Sequence, residues 1–436
     1  MVSKILGVDG QPMRRDVAHA RTRALSGGPN RAFNEPYDSA SMVDPHLENW
    51  QPYLGSVDSE NIYRDRIVSR IRDIVRNSGW SSGAITRIID NAIGSSLRPI
   101  PAPDYAVLAR ATGISAFDHT WAREFSKALD ASWRTWAEAD TYFDVSRTNN
   151  FSQTMALAFR HLLIDGDCLA RIHWLPKRVG KGRAHYATGI ELLDPDRLSN
   201  PQLRFDNENM RGGCEVDEHN ATTAYFIRKA HQGDWFNAAK SLTWERVDRE
   251  TKWGRPILVH CFTPDRASQH RGIGGIFTPI LTALKMLAKY DQVELDSATI
   301  SSIFGTYVTS PNKDLVAESL DDGEEGLGLG EYQTERGEFH DQNRIVLGNA
   351  RIPLLFPGES IESVSATRPT SNFAAFETQV LNCLSSGLGI SAAQLSNDFS
   401  KTNYSSSRSA MLEAYKTLHR RRHDFAVRFA DPILLC

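Results

Sequence analysis

The stretch PILTALKMLAKYDQVELDSATISSI, Pro279 to Ile303, decides how the chain is read. Its pattern predicts one long helix, about 37 Å at 1.5 Å per residue. Ile280, Leu284, Leu287, Leu295 and Ala298 form a narrow apolar stripe interrupted at Asp291, and Lys285, Lys289, Asp291, Glu294 and Asp296 cover the remaining surface. So thin a seam beside so much charge suits packing against copies of the same helix better than burial in a single globular core.

The flanks add to this reading. Upstream lies Arg271-Gly-Ile-Gly-Gly-Ile276, a Gly-rich loop before a helix. Such loops can cradle phosphate, but the P-loop lysine and the G-x-G-x-x-G spacing are missing, so no nucleotide or other cofactor is expected. Downstream, a β-run at Phe304 to Val308 leads into residues 318–344, where nine acids and two bases leave a net charge of −7. Asp321, Asp322, Glu324 and Glu325 sit there among glycines, and the segment reads as an exposed loop. Ile352-Pro-Leu-Leu-Phe-Pro-Gly-Glu closes it as a strand and turn. Helices are expected at Asn372 to Ser386 and Tyr404 to Phe429, the second carrying Lys416, Arg420, Arg421 and Arg422. That basic run reads first as a solvated face and second as a DNA or partner contact.

Toward the N-terminus, residues 1–57 hold Gly, Pro, Ser and Asn with scattered bases such as Arg14, Arg15 and Arg21, the pattern of a flexible arm. From Ser59, Tyr63, Ile67, Ile71, Ile74 and Val75 recur at helical steps while Arg64, Arg66, Arg70, Arg72 and Arg76 occupy other faces. After the turn at Asn77 to Gly79, Ile85, Ile88, Ile89 and Ile93 give a second stripe, so a helical hairpin is expected. A third helix, Asp118 to Trp136, aligns Trp121, Phe125, Leu129, Trp133 and Trp136 as core. A fourth, Phe151 to Ile164, ends at Asp165-Gly166-Asp167, a turn and not a calcium loop because the further oxygen ligands are absent. Between 168 and 265, the runs CLARIHWL, GIELLDP, TAYFIRK and PILVHCF predict a small antiparallel sheet. His260 and Cys261 could suggest a thiol nucleophile and its base, yet neighbours on a strand point to opposite faces.

Bulk properties narrow the function classes. The chain has 436 residues, room for two or three domains, and is 41% hydrophobic. Its 50 Lys and Arg against 53 Asp and Glu leave a formal charge of −3, so no bulk positive field exists to grip nucleic acid or an acidic membrane. No run approaches the roughly 18 apolar residues of a spanning helix, and a soluble protein made in a cytoplasm is expected. The five cysteines, at 168, 214, 261, 383 and 436, form no C-x-x-C pair, so neither a disulfide framework nor a metal site is indicated.

Several segments, in order, resemble the portal proteins of lambda-type tailed bacteriophages. They are Val75-Arg-Asn-Ser-Gly-Trp-Ser-Ser-Gly-Ala-Ile with Asp90-Asn-Ala-Ile-Gly; Asp165-Gly-Asp; Ile190-Glu-Leu-Leu-Asp-Pro-Asp-Arg-Leu; and Gly213-Cys-Glu-Val-Asp with Ala224-Tyr. They continue with His260-Cys-Phe-Thr-Pro-Asp-Arg-Ala-Ser-Gln-His-Arg-Gly, Leu354-Leu-Phe-Pro-Gly-Glu, Ser386-Gly-Leu-Gly-Ile and Leu395-Ser-Asn-Asp-Phe-Ser-Lys-Thr-Asn-Tyr-Ser-Ser-Ser-Arg.

The resemblance implies an α+β portal fold that assembles into a ring, usually of twelve subunits, at the one capsid vertex where double-stranded DNA enters and leaves. On that analogy residues 58–278 form a mixed α/β wing and 279–303 a stem helix. Residues 304–352 form a clip with its acidic loop, and 353–436 a second stem and wing region, C-terminally shortened because family members continue beyond the position matching Phe429. Lys285, Lys289, Asp291, Glu294 and Asp296 would belong to the channel, and Asp321, Asp322, Glu324 and Glu325 to the partner-facing clip. Arg420, Arg421 and Arg422 are the candidate DNA or partner contacts.

Implied partners are the terminase large subunit, head-completion and connector proteins, major capsid and scaffold proteins, and DNA without sequence specificity. The setting is the virion, with assembly in the host cytoplasm and no membrane. No catalytic site is implied, since portals leave ATP hydrolysis to the terminase. A balanced charge agrees with this, because a wall of unopposed cations would hold phosphates and resist sliding. Two rivals remain: a nucleic-acid adaptor using the arm and Arg420 to Arg422, and a small hydrolase using Cys261 or Asp165, for which no catalytic motif is found.

Overall fold

The α1 helix (Arg64–Asn77) and α2 helix (Gly79–Ala92) form the expected hairpin, turning at Ser78, whose extended backbone breaks the helix while its N–H closes α1 on the Ile74 carbonyl. Val68, Ile71, Ile74 and Val75 face Ala84, Ile85, Ile88 and Ala92, all buried, because both stripes recur at helical spacing. This computed structural model describes residues 54–138, 141–303, 373–400 and 403–434, four short strands between 307 and 362, and isolated helical residues at 334, 337–339 and 342. The main compact unit begins at Val57. Residues 1–53 of the expected arm, and Asp321, Asp322, Glu324 and Glu325, lie outside the described residues.

Two capped helices follow, α3 (Tyr105–Thr112) and α4 (His119–Trp133), with Asp104 and Asp118 accepting from the Val107 and Trp121 N–H groups. The core role expected of the α4 aromatic stripe is corrected here. Trp133 is buried, and it and Trp136 pack edge-on with Phe151 and Phe143, but Phe125 and Leu129 are nearly half exposed. α3 buries no residue at all. Trp121 instead stacks on Phe125 one turn away, so the outer part of the stripe covers itself.

The α5 helix (Phe151–Asp165) starts with a capping box between Asn150 and Gln153 and stops at Gly166, whose φ of +84° lies where side chains are disfavoured. Six strands then alternate with loops: β1 (Asp167–Trp174), β2 (Thr188–Leu193), β3 (Met210–Arg211), β4 (Cys214–Val216), β5 (Thr222–Arg228) and, after a short α6 (Ala238–Ser241), β6 (Trp244–Asp248). The β7 strand (Leu258–Phe262) returns to β1. All pairings are antiparallel, but the strands form two sheets, β2-β1-β7 and β3-β4-β5-β6, where the sequence suggested one. Alternation assigns the faces. Cys168, Ala170 and Ile172 of β1 join the main core under α1, α2 and α5, while Leu169 joins Tyr225, Ile227 and Val247 in a second core between the sheets.

The long helix is α7 (Leu281–Ile303), entered through a 3-10 turn at Thr278–Ile280. Beyond it, β8 (Tyr307–Thr309) pairs with β11 (Ser360–Glu362), and β9 (Arg344–Leu347) with β10 (Ala350–Pro353), which contains the strand expected at Ile352. The α8 helix (Phe373–Leu388) lies against α7, linked by a Tyr290–Phe376 ring contact at 5.0 Å. After α9 (Ala392–Ser396), α10 (Tyr404–Phe425) passes through a wide π turn at Ala426–Ala430 into α11 (Asp431–Leu434). Phe425 and Phe429 of this last part are buried, Phe425 against Phe159 of α5. The protein is a mixed α+β fold.

Candidate functional site

A buried ionic web joins α1 to the start of β1 and the loops after β2. Asp167 is fully buried, and accepts from Arg64 Nη2 and Arg271 Nε, both at 2.9 Å. Burial alone would raise its carboxyl pKa, but the two guanidiniums outweigh burial and hold it well below the usual range. Asp165 accepts from Arg72 Nε at 2.8 Å and lies 2.6 Å from His161 Nδ1. Arg72 also reaches Asp196 at 2.6 Å and Asp194 at 3.3 Å. Arg271 further donates to the carbonyls of Leu198, Pro195 and Gly212. A second buried pair, Asp58 with His270 at 3.2 Å, is completed by Arg211 at 2.8 Å.

Asp194, Asp196 and His231 bring their ligand atoms within 4.8 Å of one another. Arg72 already lies between the two aspartates, so the charge a cation would supply is in place. These residues join α1 to β1 and to the loops after β2, and the Asp165-Gly-Asp167 turn is a tether between elements. The sequence set Arg64 on a face other than the apolar stripe, yet Arg64 is among the largest fully buried side chains. The available signal was the eight-residue spacing of Arg64 and Arg72, which puts both on one side of α1.

The Gly-rich loop has a packing explanation. A Cβ on Gly272 would run into the Gly166 carbonyl, and one on Gly275 into the Leu163 carbonyl. Ile276 donates to the Leu163 carbonyl at 2.9 Å, so this loop lies backbone to backbone on the end of α5. His260 and Cys261 diverge as their alternation requires. Cys261 faces its register partner Cys168 in the main core, whereas His260 packs on Tyr225 and lies 3.5 Å from Asp167, its pKa lowered by burial.

At the entry to α7 and along it, Ile280, Leu284 and Leu287 are buried as expected, but two positions are corrected. Leu295 is largely exposed, and Glu294 is only 6% exposed. The inward line runs Leu284, Leu287, Asp291, Glu294, at alternating steps of three and four, and burial raises the Asp291 pKa. Lys285, Lys289 and Asp296 are exposed. So are Met286 and Val293, seven residues apart and hence on one side. On α10, Arg420 and Arg422 are exposed, but Arg421 Nη1 donates to the Leu388 carbonyl at 2.8 Å, closing the end of α8. Its pKa is lowered by burial and by Arg420. The basic run is therefore split: one arginine is a helix cap and two face outward.

A family model of phage portal proteins, lambda family, matches residues 44–422. Over its whole length the chain is 28% identical to portal protein B of Escherichia phage lambda and 26% identical to the portal protein of Escherichia phage N15, covering 77% of each. It is 23% identical to the probable portal protein of Halomonas phage phiHAP-1, over 84% of this chain and 64% of that relative. Among solved structures it is similar to a chain in the neck of an empty gene transfer agent particle, with a TM-score of 0.41, 14% identity, and coverage of 78% of this chain and 86% of that one. A chain of the native gene transfer agent virion gives a TM-score of 0.38 at the same identity and coverage.

Proposed function

The chain belongs to the lambda family of phage portal proteins, and from that membership we propose that its copies close into a ring, of twelve in the assembled head, forming the channel for double-stranded DNA at one capsid vertex. The observation that carries this is the family match across residues 44–422, which runs from before α1 through most of α10. The surface of α7 supports it. A helix of 23 residues spans about 34 Å, some ten base pairs of duplex, enough to guide DNA without reading it. Met286 and Val293 leave an apolar line on the outside, available to the stem helix of the next subunit.

Charge order along α7 favours the same arrangement. Lys285 and Lys289 precede Asp291, Glu294 and Asp296, opposite to what the helix dipole prefers. Cations of one helix set beside acids of the next would offset that in a heterologous ring. On this reading residues 58–278 are the wing, 279–303 the first stem helix, 304–352 the clip, and 353–436 the second stem and wing. Lys285, Lys289 and Asp296 lie toward the channel, with Asp291 and Glu294 set back on the packed side. The acids Asp321, Asp322, Glu324 and Glu325 meet the terminase large subunit and later the head-completion proteins. Capsid and scaffold proteins surround the wing during assembly in the host cytoplasm, and the finished ring resides in the virion.

The rival hydrolase loses its candidates, since Cys261 is packed on Cys168 and Asp165 is tied to Arg72 and His161. The adaptor retains Arg420 and Arg422. Native mass measurement and negative-stain microscopy of the purified full chain test the proposal. Closed rings with a central hole are expected, whereas isolated chains that bind duplex in a salt-sensitive way would replace it with the adaptor.

A further inference from the structure

A cleft of about 330 Å³ opens beside the ionic web, between the start of α1, the loop 199–206 and the end of β5. At its base lies Arg228, only 4% exposed. Arg228 Nε donates to Ser199 Oγ at 2.8 Å, Nη1 reaches the Ser241 carbonyl at 3.5 Å, and the guanidinium lies 5.0 Å over the Trp244 ring. No carboxylate among the described residues comes within ion-pair distance of it. Asp65 and Asp196 act on it only through space, so its direct partners are all neutral, and a buried cation in that state is stabilised by an anion arriving from outside.

The carboxylates already in the wall are committed elsewhere. Asp196 is held by Arg64 and Arg72, Asp65 by Arg64, and Asp206 accepts from Asn61, Asn200 and the Gly212 N–H. Arg64 and Arg271, which share the wall, both bond Asp167. Arg228 is the buried guanidinium left without a directly bonded carboxylate. The rim is apolar, with Ile62 and Leu203 about two-thirds exposed and Phe205 85% exposed. The turn that presents them holds Gln202 and Leu203 both at φ +57°, a conformation non-glycine residues adopt only when something else fixes it.

We propose that this cleft is a socket for the neighbouring copy of the chain, receiving a carboxylate on Arg228 and an adjacent bulky apolar side chain against Ile62, Leu203 and Phe205. The inference rests on the ring reading and names one of its contacts. A heterologous ring needs a receiving face distinct from the face it receives, and a lone buried guanidinium under an apolar rim selects a single charge carried on a peptide over a polyphosphate backbone, which the three wall aspartates would repel.

The test uses the full chain with Phe205 replaced by a benzophenone-bearing phenylalanine, irradiated after assembly. Ring formation is read separately by microscopy. The expected result is covalent dimers whose cross-linked peptide has Asp or Glu next to a large apolar residue. Arg228→Met should lower the yield at least about tenfold while Arg228→Lys retains part of it. Intact rings that cross-link only within one chain, that attach to nucleic acid instead, or whose yield is unchanged by Arg228→Met, would overturn the socket and leave the ring standing. Absence of rings would overturn the reading beneath it.

Discussion

Arg271 Nε meets Asp167 Oδ2 at 2.9 Å across 104 residues of chain, and the pair is sealed from water. Arg64 completes the contact from the other side, so one carboxylate bridges two guanidiniums delivered by α1 and by the loop before α7, with Asp196 as a second partner of Arg64. The entry to α7 and the start of β1 are thereby fixed to one atom group.

Removing that group should be severe. Asp167→Ala leaves buried Arg271 without its carboxylate and Arg64 with only Asp196 and Asp65, and is expected to cost about 3–5 kcal/mol, with Asp167→Asn little better because the charge is still lost. Urea denaturation checks this. A loss below about 1 kcal/mol would mean that water reaches the guanidiniums.

Acid should act on the same group. The folded Asp167 carboxyl titrates below its unfolded value, so its contribution is present above the ordinary carboxylate range and fades as pH falls through that range and below. The Asp58–His270 pair acts oppositely at the histidine. Its hydrogen bond to Asp58 raises the His270 pKa, so that contribution is complete below about 6.5 and is lost as pH rises through the folded value. His270→Gln should flatten the fall in stability above about pH 6.5 that the pair generates, as read by thermal melts across pH.

Two glycines should respond with opposite sign. Gly83 sits inside α2 with nothing near its missing Cβ, so Gly83→Ala is expected to add about 0.5–1 kcal/mol. Gly272→Ala drives a methyl into the Gly166 carbonyl and should cost about 1–3 kcal/mol or more. Equal behaviour of the two in chemical denaturation would refute the backbone contact.

Thiol chemistry gives a quick check of the cores. Cys383 is exposed while Cys168, Cys214 and Cys261 are buried, and burial pushes the Cys214 thiol up to about 12. A maleimide should modify Cys383 in the folded chain and leave those three untouched until denaturant is added. Cys383→Ser should remove that site, as peptide mapping would read.

The helical hairpin was legible because apolar spacing reports directly on a helix face, and α1 and α2 both keep the period. The strands were legible as runs but not as two sheets, since partner choice depends on contacts between Cys214 and Tyr225 that no local pattern encodes. The ionic web was least legible. An isolated arginine reads as solvent-facing, and Arg64 becomes interior only because Asp167 and Asp196 arrive from over a hundred residues away. Conversely, the aromatics of α4 looked like core because periodicity measures amphipathicity and not whether a partner exists. The same limit applied to α7, where a period set at 3.6 selected Leu295 while the actual packing followed alternating steps of three and four to Glu294.

The placement of β1 between two cores has a mechanical consequence. Leu169 anchors it to one side and Cys168, Ala170 and Ile172 to the other, so the strand cannot slide without opening both. The three layers thus resist shear as a laminate does, each ply stiffening the next. The α3 helix buries no residue and α4 buries only Trp133, so neither has such reinforcement. Strain imposed on the chain would therefore be taken up by these two helices, while the plate around β1 keeps its shape.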